Sequence, residues 1–86
     1  MTEGLKLYEL SCGGEGVITA VAHGDKTMQM RLSELGFVNG ARVKSVGRSP
    51  LGGMSSYFIN GAVFALRDGD AAGISVRAID KGRSAR

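Results

Sequence analysis

The sequence has few of the residues that small proteins use to reinforce a thin core. Its 86 residues include one cysteine, one histidine, one proline and no tryptophan. A single cysteine excludes an internal disulfide and any cysteine-rich zinc framework. A chain of this length buries only about 60–65% of its unfolded surface. The fold must therefore be stable by packing alone, or by packing together with a partner.

Long apolar runs and catalytic motifs are also missing. No window comes near the roughly 18 apolar residues that a membrane span requires, and the first residues lack the pattern of a signal peptide. A free cysteine without an export signal favours the cytoplasm. The sequence contains no G-x-x-x-x-G-K-[ST] phosphate loop and no third group to orient a Cys12–His23 pair. No enzymatic activity is therefore predicted.

Glycine, by contrast, is abundant, with 14 residues, about twice its usual share of ~7%. Glycines between short β-branched segments predict tight turns between short strands. The strongest turn signal is Asn60–Gly61, because a type I′ hairpin turn needs two residues that tolerate positive φ. The pattern predicts a mainly β fold, a small barrel or sandwich of five to six strands. The expected strands cover residues 5–10, 16–22, 41–48, 55–59, 62–67 and 74–79.

One helix is predicted at about residues 26–35. Asp25 precedes it in the N-cap position, where a carboxylate can accept a hydrogen bond from a free backbone N–H. Gly36 follows it, where a left-handed residue ends a helix. A further helical turn, capped by Asp70, is expected before the last strand. The apolar face of the main helix is formed by Met28, Leu32 and Leu35.

Charge is unevenly distributed along the chain. Residues 26–67 carry six basic residues against Glu34 alone, a net charge of +5 within a chain whose net charge is +3. This basic middle indicates an acidic partner or the anionic inner leaflet of a membrane, although a solvated surface explains it equally well. The charge is too scattered to predict nucleic-acid binding.

Potential metal ligands are few. Cys12, His23 and Asp25 are the candidates, either together or with a ligand from a second chain, for an adventitious divalent ion. Stable iron or zinc sites need several such ligands, so no cofactor is predicted to be required. Capping of the helix is the simpler explanation of Asp25.

The loop after the third expected strand is the best candidate for a partner-binding surface. Pro50 stiffens it, which lowers the entropy cost of ordering on binding. Leu51 and Met54 are expected to be exposed apolar anchors beside Arg48; the alternative is a connection in which Leu51 only covers the end of the barrel. The exposed face of the helix is the second candidate. The predicted binding residues are Arg48, Ser49, Pro50, Leu51, Gly52 and Met54 on the loop and Arg31 and Glu34 on the helix.

Three segments, in this order and spacing, resemble the FeoA family. They are Arg31–Phe37 (RLSELGF) with Gly40 and Val43, Ser49–Gly53 (SPLGG), and Ala65–Val76 (ALRDGDAAGISV). The similarity spans residues 18–76. The sequence departs from the family at Met54, where a second proline is common, and at Ser55 and Ser56, where bulky aliphatic residues are usual.

The resemblance implies a small SH3-like β-barrel with a short helical insertion. The expected domain covers residues 1–80 and is followed by a basic tail at 81–86. The resemblance also implies a non-enzymatic, cytoplasmic regulator of ferrous iron uptake. Its partner would be the GTPase region of a FeoB-type transporter, at the inner face of the membrane. The alternatives are a metal-binding protein, a homodimer bridged by metal, and an SH3-like module of an iron-dependent transcriptional regulator.

Overall fold

The computed structural model describes residues 4–79, which form one antiparallel sheet and two helices. The strands follow the order β1-β6-β2-β3-β4-β5 across the sheet. Its edges, β1 and β5, do not pair with each other within residues 4–79. The elements are β1 (Leu5–Lys6), a 3-10 helical turn (Leu7–Glu9), β2 (Glu15–Val21), α1 (Lys26–Leu35), β3 (Arg42–Arg48), β4 (Met54–Ile59), β5 (Ala62–Arg67), α2 (Asp68–Ala71) and β6 (Ile74–Ile79).

Local signals in the sequence set the bounds of α1 and the β4–β5 hairpin. The Asp25 carboxylate accepts hydrogen bonds from the Thr27 N–H at 2.9 Å and the Met28 N–H at 3.4 Å. Gly36 ends the helix with a φ of 111°. The hairpin turn has φ values of 53° at Asn60 and 83° at Gly61, as a type I′ turn requires. The predicted helix, its two caps and the hairpin are all confirmed.

Two local predictions were wrong. The strand expected over residues 5–10 ends at Lys6, and a 3-10 turn follows, because Leu7 and Leu10 are both buried from that turn. The second helical turn exists as α2, but its N-cap residue is Arg67. Asp70 lies inside α2, where its carboxylate contacts a distant histidine ring instead.

The core lies on the inner face of the curved sheet, between the sheet, α1 and α2. Phe37, directly after α1, is completely buried and packs edge-on against Phe64, with ring centroids 6.3 Å apart. Burial of one such aromatic side chain contributes about 3 kcal/mol to stability. The other fully or nearly fully buried apolar residues are Leu7, Leu10, Ile18, Leu32, Val43, Tyr57, Ile59, Leu66, Ala71, Ile74 and Val76.

Within residues 4–79, no helix has the length and apolar character needed to cross a membrane. The predicted basic tail at 81–86 lies outside the described residues.

Candidate functional site

The loop between β3 and β4 has a backbone fixed by its own hydrogen bonds. The Ser49 N–H donates to the Met54 carbonyl and the Gly52 N–H donates to the Ser49 carbonyl, both at 2.9 Å. The Leu51 N–H donates to the Ser49 hydroxyl at 3.3 Å. These bonds point the Leu51 side chain into solvent, where 96% of the residue is exposed. The loop therefore presents a large apolar side chain from a well-defined backbone.

A polar cluster holds the base of this loop. Arg48 donates to the Asp68 carboxylate at 2.8 Å and to the Ser55 hydroxyl at 3.1 Å. The Asp68 N–H also donates to the Gly53 carbonyl at 2.9 Å. Arg48 therefore anchors the loop to the start of α2, although about half of its side chain is still exposed.

Tyr57 lies beneath this cluster and is only 1% exposed. Its hydroxyl has no hydrogen-bond partner among the described residues. Burial raises the pKa of the Tyr57 phenol above its ordinary value, and the Asp68 carboxylate adds to the effect. The Ser55 hydroxyl and the Arg48 guanidinium oppose it. Tyr57 and the polar cluster above it therefore support the base of the loop.

The other predicted binding residues lie on a different element. Arg31 and Glu34 are exposed on α1 and form no ion pair with each other. The side chain of Gln29 joins α1 to β2 through the Val21 carbonyl, at 3.4 Å. The loop is instead joined to α2, so the two predicted surfaces are held by separate parts of the fold. Met54, at the end of the loop, is 38% exposed.

The weak metal candidates do not form a site. Cys12 is an exposed free thiol. His23 Nδ1 accepts the Asp25 N–H at 2.9 Å, which assigns the ring proton to Nε2, 2.8 Å from the Asp70 carboxylate. Both ring nitrogens are therefore engaged, and the Asp25 carboxylate caps α1. Among residues 4–79, no three His, Cys, Asp or Glu side chains are grouped to hold a metal ion.

Sequence reasoning missed an apolar patch on the outer face of the sheet. Phe58 is 45% exposed and Val63 is 57% exposed, on neighbouring strands. Strand alternation could have identified this patch, because Tyr57 and Ile59 point inward and the residue between them must point outward.

The chain was compared with protein families and known proteins. The FeoA domain family matches residues 5–78. A comparison with curated protein sequences found no match. The FeoA protein from Chlorobium tepidum is 35% identical, with a TM-score of 0.80, over 91% of this chain and 75% of that chain.

Two further structures extend the comparison. FeoA from Stenotrophomonas maltophilia, solved with zinc and described as a prokaryotic SH3 domain protein, is 32% identical, with a TM-score of 0.73, over 84% of this chain and 88% of that one. A manganese-dependent transcriptional repressor has a TM-score of 0.80 at 22% identity, over 92% of this chain and 44% of that one. At that identity the repressor shows only a shared fold.

The family match covers nearly all of the described residues, and the sheet with its single long helix is the SH3-like fold of these relatives. The chain belongs to the FeoA family of proteins associated with ferrous iron transport.

Proposed function

We propose that this FeoA protein is a non-enzymatic regulator of ferrous iron uptake that binds the cytosolic GTPase region of a FeoB-type transporter. The observation that carries the proposal is the exposed Leu51 on its fixed loop. An apolar anchor that is already held in place loses little entropy on binding. Burying one leucine side chain in a partner pocket is worth about 1.5–3 kcal/mol, enough to make this loop the centre of an interface.

Regulation would follow from differential binding. A ligand shifts a conformational equilibrium only as far as it binds one state more tightly than another. A loop that fits one conformation of the GTPase region would therefore stabilise that conformation. The relative from Stenotrophomonas is described as a candidate activating factor of ferrous iron transport, which supports a regulatory role without assigning its direction here.

The surroundings of the loop fit a cytoplasmic site near the membrane. The segment from Lys26 to Arg67 has a net charge of +5, which would attract an acidic domain face or anionic lipid. Arg31 and Glu34, exposed on α1, would form a second contact with the transporter. We propose that the protein is cytoplasmic and is recruited to the inner face of the membrane by this partner.

The test is co-purification with a full-length FeoB-type transporter. Leu51→Asp removes the anchor and introduces a charge at a position that contacts no core residue, so we expect association to be lost while the melting temperature is unchanged. Val38→Asp is the matched control, because Val38 is also an exposed aliphatic residue, 42% accessible, but lies outside the loop. Undiminished association of folded Leu51→Asp would overturn the assignment of the loop.

Zinc binding, seen in the Stenotrophomonas relative, is a separate candidate that the donor set of residues 4–79 does not support. His23 has both ring nitrogens in hydrogen bonds, and a zinc site needs about four ligands. We therefore expect the elution volume of the protein in size exclusion to be the same with and without a chelator. A chelator-dependent change in that volume would favour the metal-bridged dimer.

A further inference from the structure

The edge strand β5 has backbone groups that point away from the sheet. The two-residue turn at Asn60–Gly61 closes on the pair Ile59 and Ala62, which exchange backbone hydrogen bonds. Hydrogen-bonded and non-bonded pairs alternate along an antiparallel ladder. The same alternation continues past the strand, where the Asp68 N–H donates to the Gly53 carbonyl at 2.9 Å. The N–H groups that face β4 therefore belong to Ala62, Phe64 and Leu66, and those that face outward belong to Val63, Ala65 and Arg67.

This edge lacks the usual protection against another strand. Proteins commonly shield exposed edges with proline, bulges, inward charges or very short strands. The β4–β5 ladder keeps one register over six pairs, whereas the β2–β6 and β3–β4 ladders each contain a register shift. β5 has no proline, and its only charge is Arg67 at one end. The opposite edge, β1, is only two residues long.

The outer face beside this edge combines apolar and basic side chains. Lys44, Phe58 and Val63 lie in one cross-strand row over β3, β4 and β5. An open groove of about 560 Å³ runs along Phe58, Lys44 and Arg42. Glu15 is the carboxylate on this row, on the far side of Lys44. The face next to β5 itself therefore presents apolar surface with cations around it.

We propose that β5 accepts an extended segment of a partner polypeptide, rich in acidic and apolar residues, as an added strand. Backbone bonds to Val63 and Ala65, and to the N–H of Arg67, would hold the segment. Its outward apolar side chains would pack beside Val63 and its outward acidic side chain would pair with Arg67. Arg42 and Lys44, further across the sheet, would attract the rest of an acidic partner. This surface does not depend on the function proposed for Leu51.

Charge complementarity favours an acidic partner over a second copy of this chain. Antiparallel pairing of two β5 strands about Ala65 would place each Arg67 beside Val63 of the other copy. No carboxylate on β5 would then meet either guanidinium. An acidic segment supplies the missing charge, so the second copy serves as an alternative outcome of the test.

The positional pattern of amide exchange tests the proposal. The probe is an acetylated and amidated hexapeptide with glutamate at position 1, valine at positions 3 and 5 and threonine between them, so that the glutamate and both valines share one face of a strand. Paired antiparallel to β5, it places the glutamate beside Arg67 and a valine beside Val63, and it is added to the full ¹⁵N-labelled chain until chemical shifts stop changing. We expect the amides of Val63, Ala65 and Arg67 to exchange at least about tenfold more slowly, because their N–H groups become hydrogen-bonded. The amides of Phe64 and Leu66 should change little. The same peptide with lysine in place of glutamate should have no effect.

Ala65→Pro provides the matched variant. Proline removes an N–H that is not used in the β4–β5 ladder, as is tolerated on edge strands, and it blocks the added strand. Ala65→Ser keeps the N–H and is the control. We expect Ala65→Pro to weaken peptide binding by at least about tenfold, whereas Ala65→Ser retains it. Val63→Asp, which leaves the backbone intact but repels the acidic peptide and interrupts the apolar patch, should also weaken binding and serves if Ala65→Pro does not fold.

Three results would overturn the proposal: equal binding of the lysine peptide, unaltered binding to a folded Ala65→Pro variant, or edge protection that rises with protein concentration in the absence of peptide. The last result would identify a second copy as the occupant. Leu51→Asp should bind the peptide as the unaltered chain does. Failure at β5 is thus distinguished from failure of the loop to bind the transporter.

Discussion

Two connections of this molecule each contain a glycine with a positive φ, but the two glycines lie in different surroundings. Gly36, between α1 and β3, has a φ of 111°, and Gly52, between β3 and β4, has a φ of 81°. A Cβ added at Gly36 would lie 3.1 Å from the Asn60 Cβ, whereas one added at Gly52 would meet no atom within 4 Å. The first connection is constrained by packing and the second only by its backbone. Side chains on the second, such as Leu51, are therefore free to serve a partner.

The largest expected effect is at Gly73, which, like Gly36, has other atoms packed against it. A Cβ there would collide with the Ala22 carbonyl oxygen, and this contact lies where the Ala22 N–H donates to the Gly73 carbonyl at 2.8 Å. We expect Gly73→Ala to lower the free energy of unfolding by about 3 kcal/mol or more, measured by urea denaturation. Gly24→Ala, in open space, should stay within about 0.5 kcal/mol. Similar losses for the two variants would show that the contact at Gly73 relaxes freely.

The second prediction compares the two connections directly. Gly36→Ala should cost about 2 kcal/mol and Gly52→Ala about 1 kcal/mol, since both pay for positive φ but only the first also meets Asn60. In an Asn60→Gly background the loss at Gly36 should fall to that at Gly52. Equal losses in the unaltered background would mean that backbone strain alone matters at both positions.

The third prediction concerns Asp25, which caps the N-terminus of α1, and its expected effect on stability is smaller. Asp25→Ala removes the bonds from the Thr27 and Met28 N–H groups and should lower the free energy of unfolding by about 1 kcal/mol. Asp25→Asn retains an acceptor and should lower the free energy of unfolding by only a few tenths of a kcal/mol. The pair of variants, measured by thermal unfolding, separates the cap from any other role of this residue. A metal role would instead show as a change in stability on adding a divalent cation to the unaltered chain alone.

The smallest effect concerns the base of the β3–β4 loop at high pH. Because the pKa of Tyr57 is raised by burial, the unfolded chain loses this proton at a lower pH than the folded chain. The contribution of Tyr57 to the free energy of unfolding is therefore fully present below about pH 10 and is lost as the pH rises further. At pH 10.5 we expect the loss to be less than about 1 kcal/mol. Tyr57→Phe should lack this part of the decline. A parallel decline in both proteins would contradict the role of Tyr57.

Features set by interactions between residues close in sequence were predicted correctly, whereas features set by contacts between distant residues were not. α1 and the β4–β5 hairpin were predicted because Asp25, Gly36 and Asn60–Gly61 act on backbone groups within a few residues of themselves. The prediction of a strand over residues 5–10 was wrong because tertiary burial of Leu7 and Leu10 overrode alternation. The expected fold and family are also confirmed, because the FeoA family match covers residues 5–78.

The candidate site was less accessible to sequence reasoning. Exposure of Leu51 was expected and is present, but the pairing of Arg48 with Asp68 and Ser55 depends on how β3, β4 and α2 meet. The bond between His23 and Asp70 joins residues 47 positions apart, and no local pattern announces it. To predict that Phe58 points outward, one must know where β4 begins and ends, because alternation assigns residues to the two faces only within known bounds. Binding of a transporter, by the loop or by α1, stays a prediction.

The place of β6 in the sheet has a consequence for how the chain is made. Of the strands in residues 4–79, β6 is the last to be synthesised, yet it lies between β1 and β2 and pairs with both. The β4–β5 hairpin can form as soon as its turn has left the ribosome, but the N-terminal strands must wait for the C-terminal one. Contacts so distant in sequence form slowly, and Ile18 and its neighbours stay uncovered meanwhile. Pairing of β6 with β1 and β2 is thus the step that completes the sheet within residues 4–79.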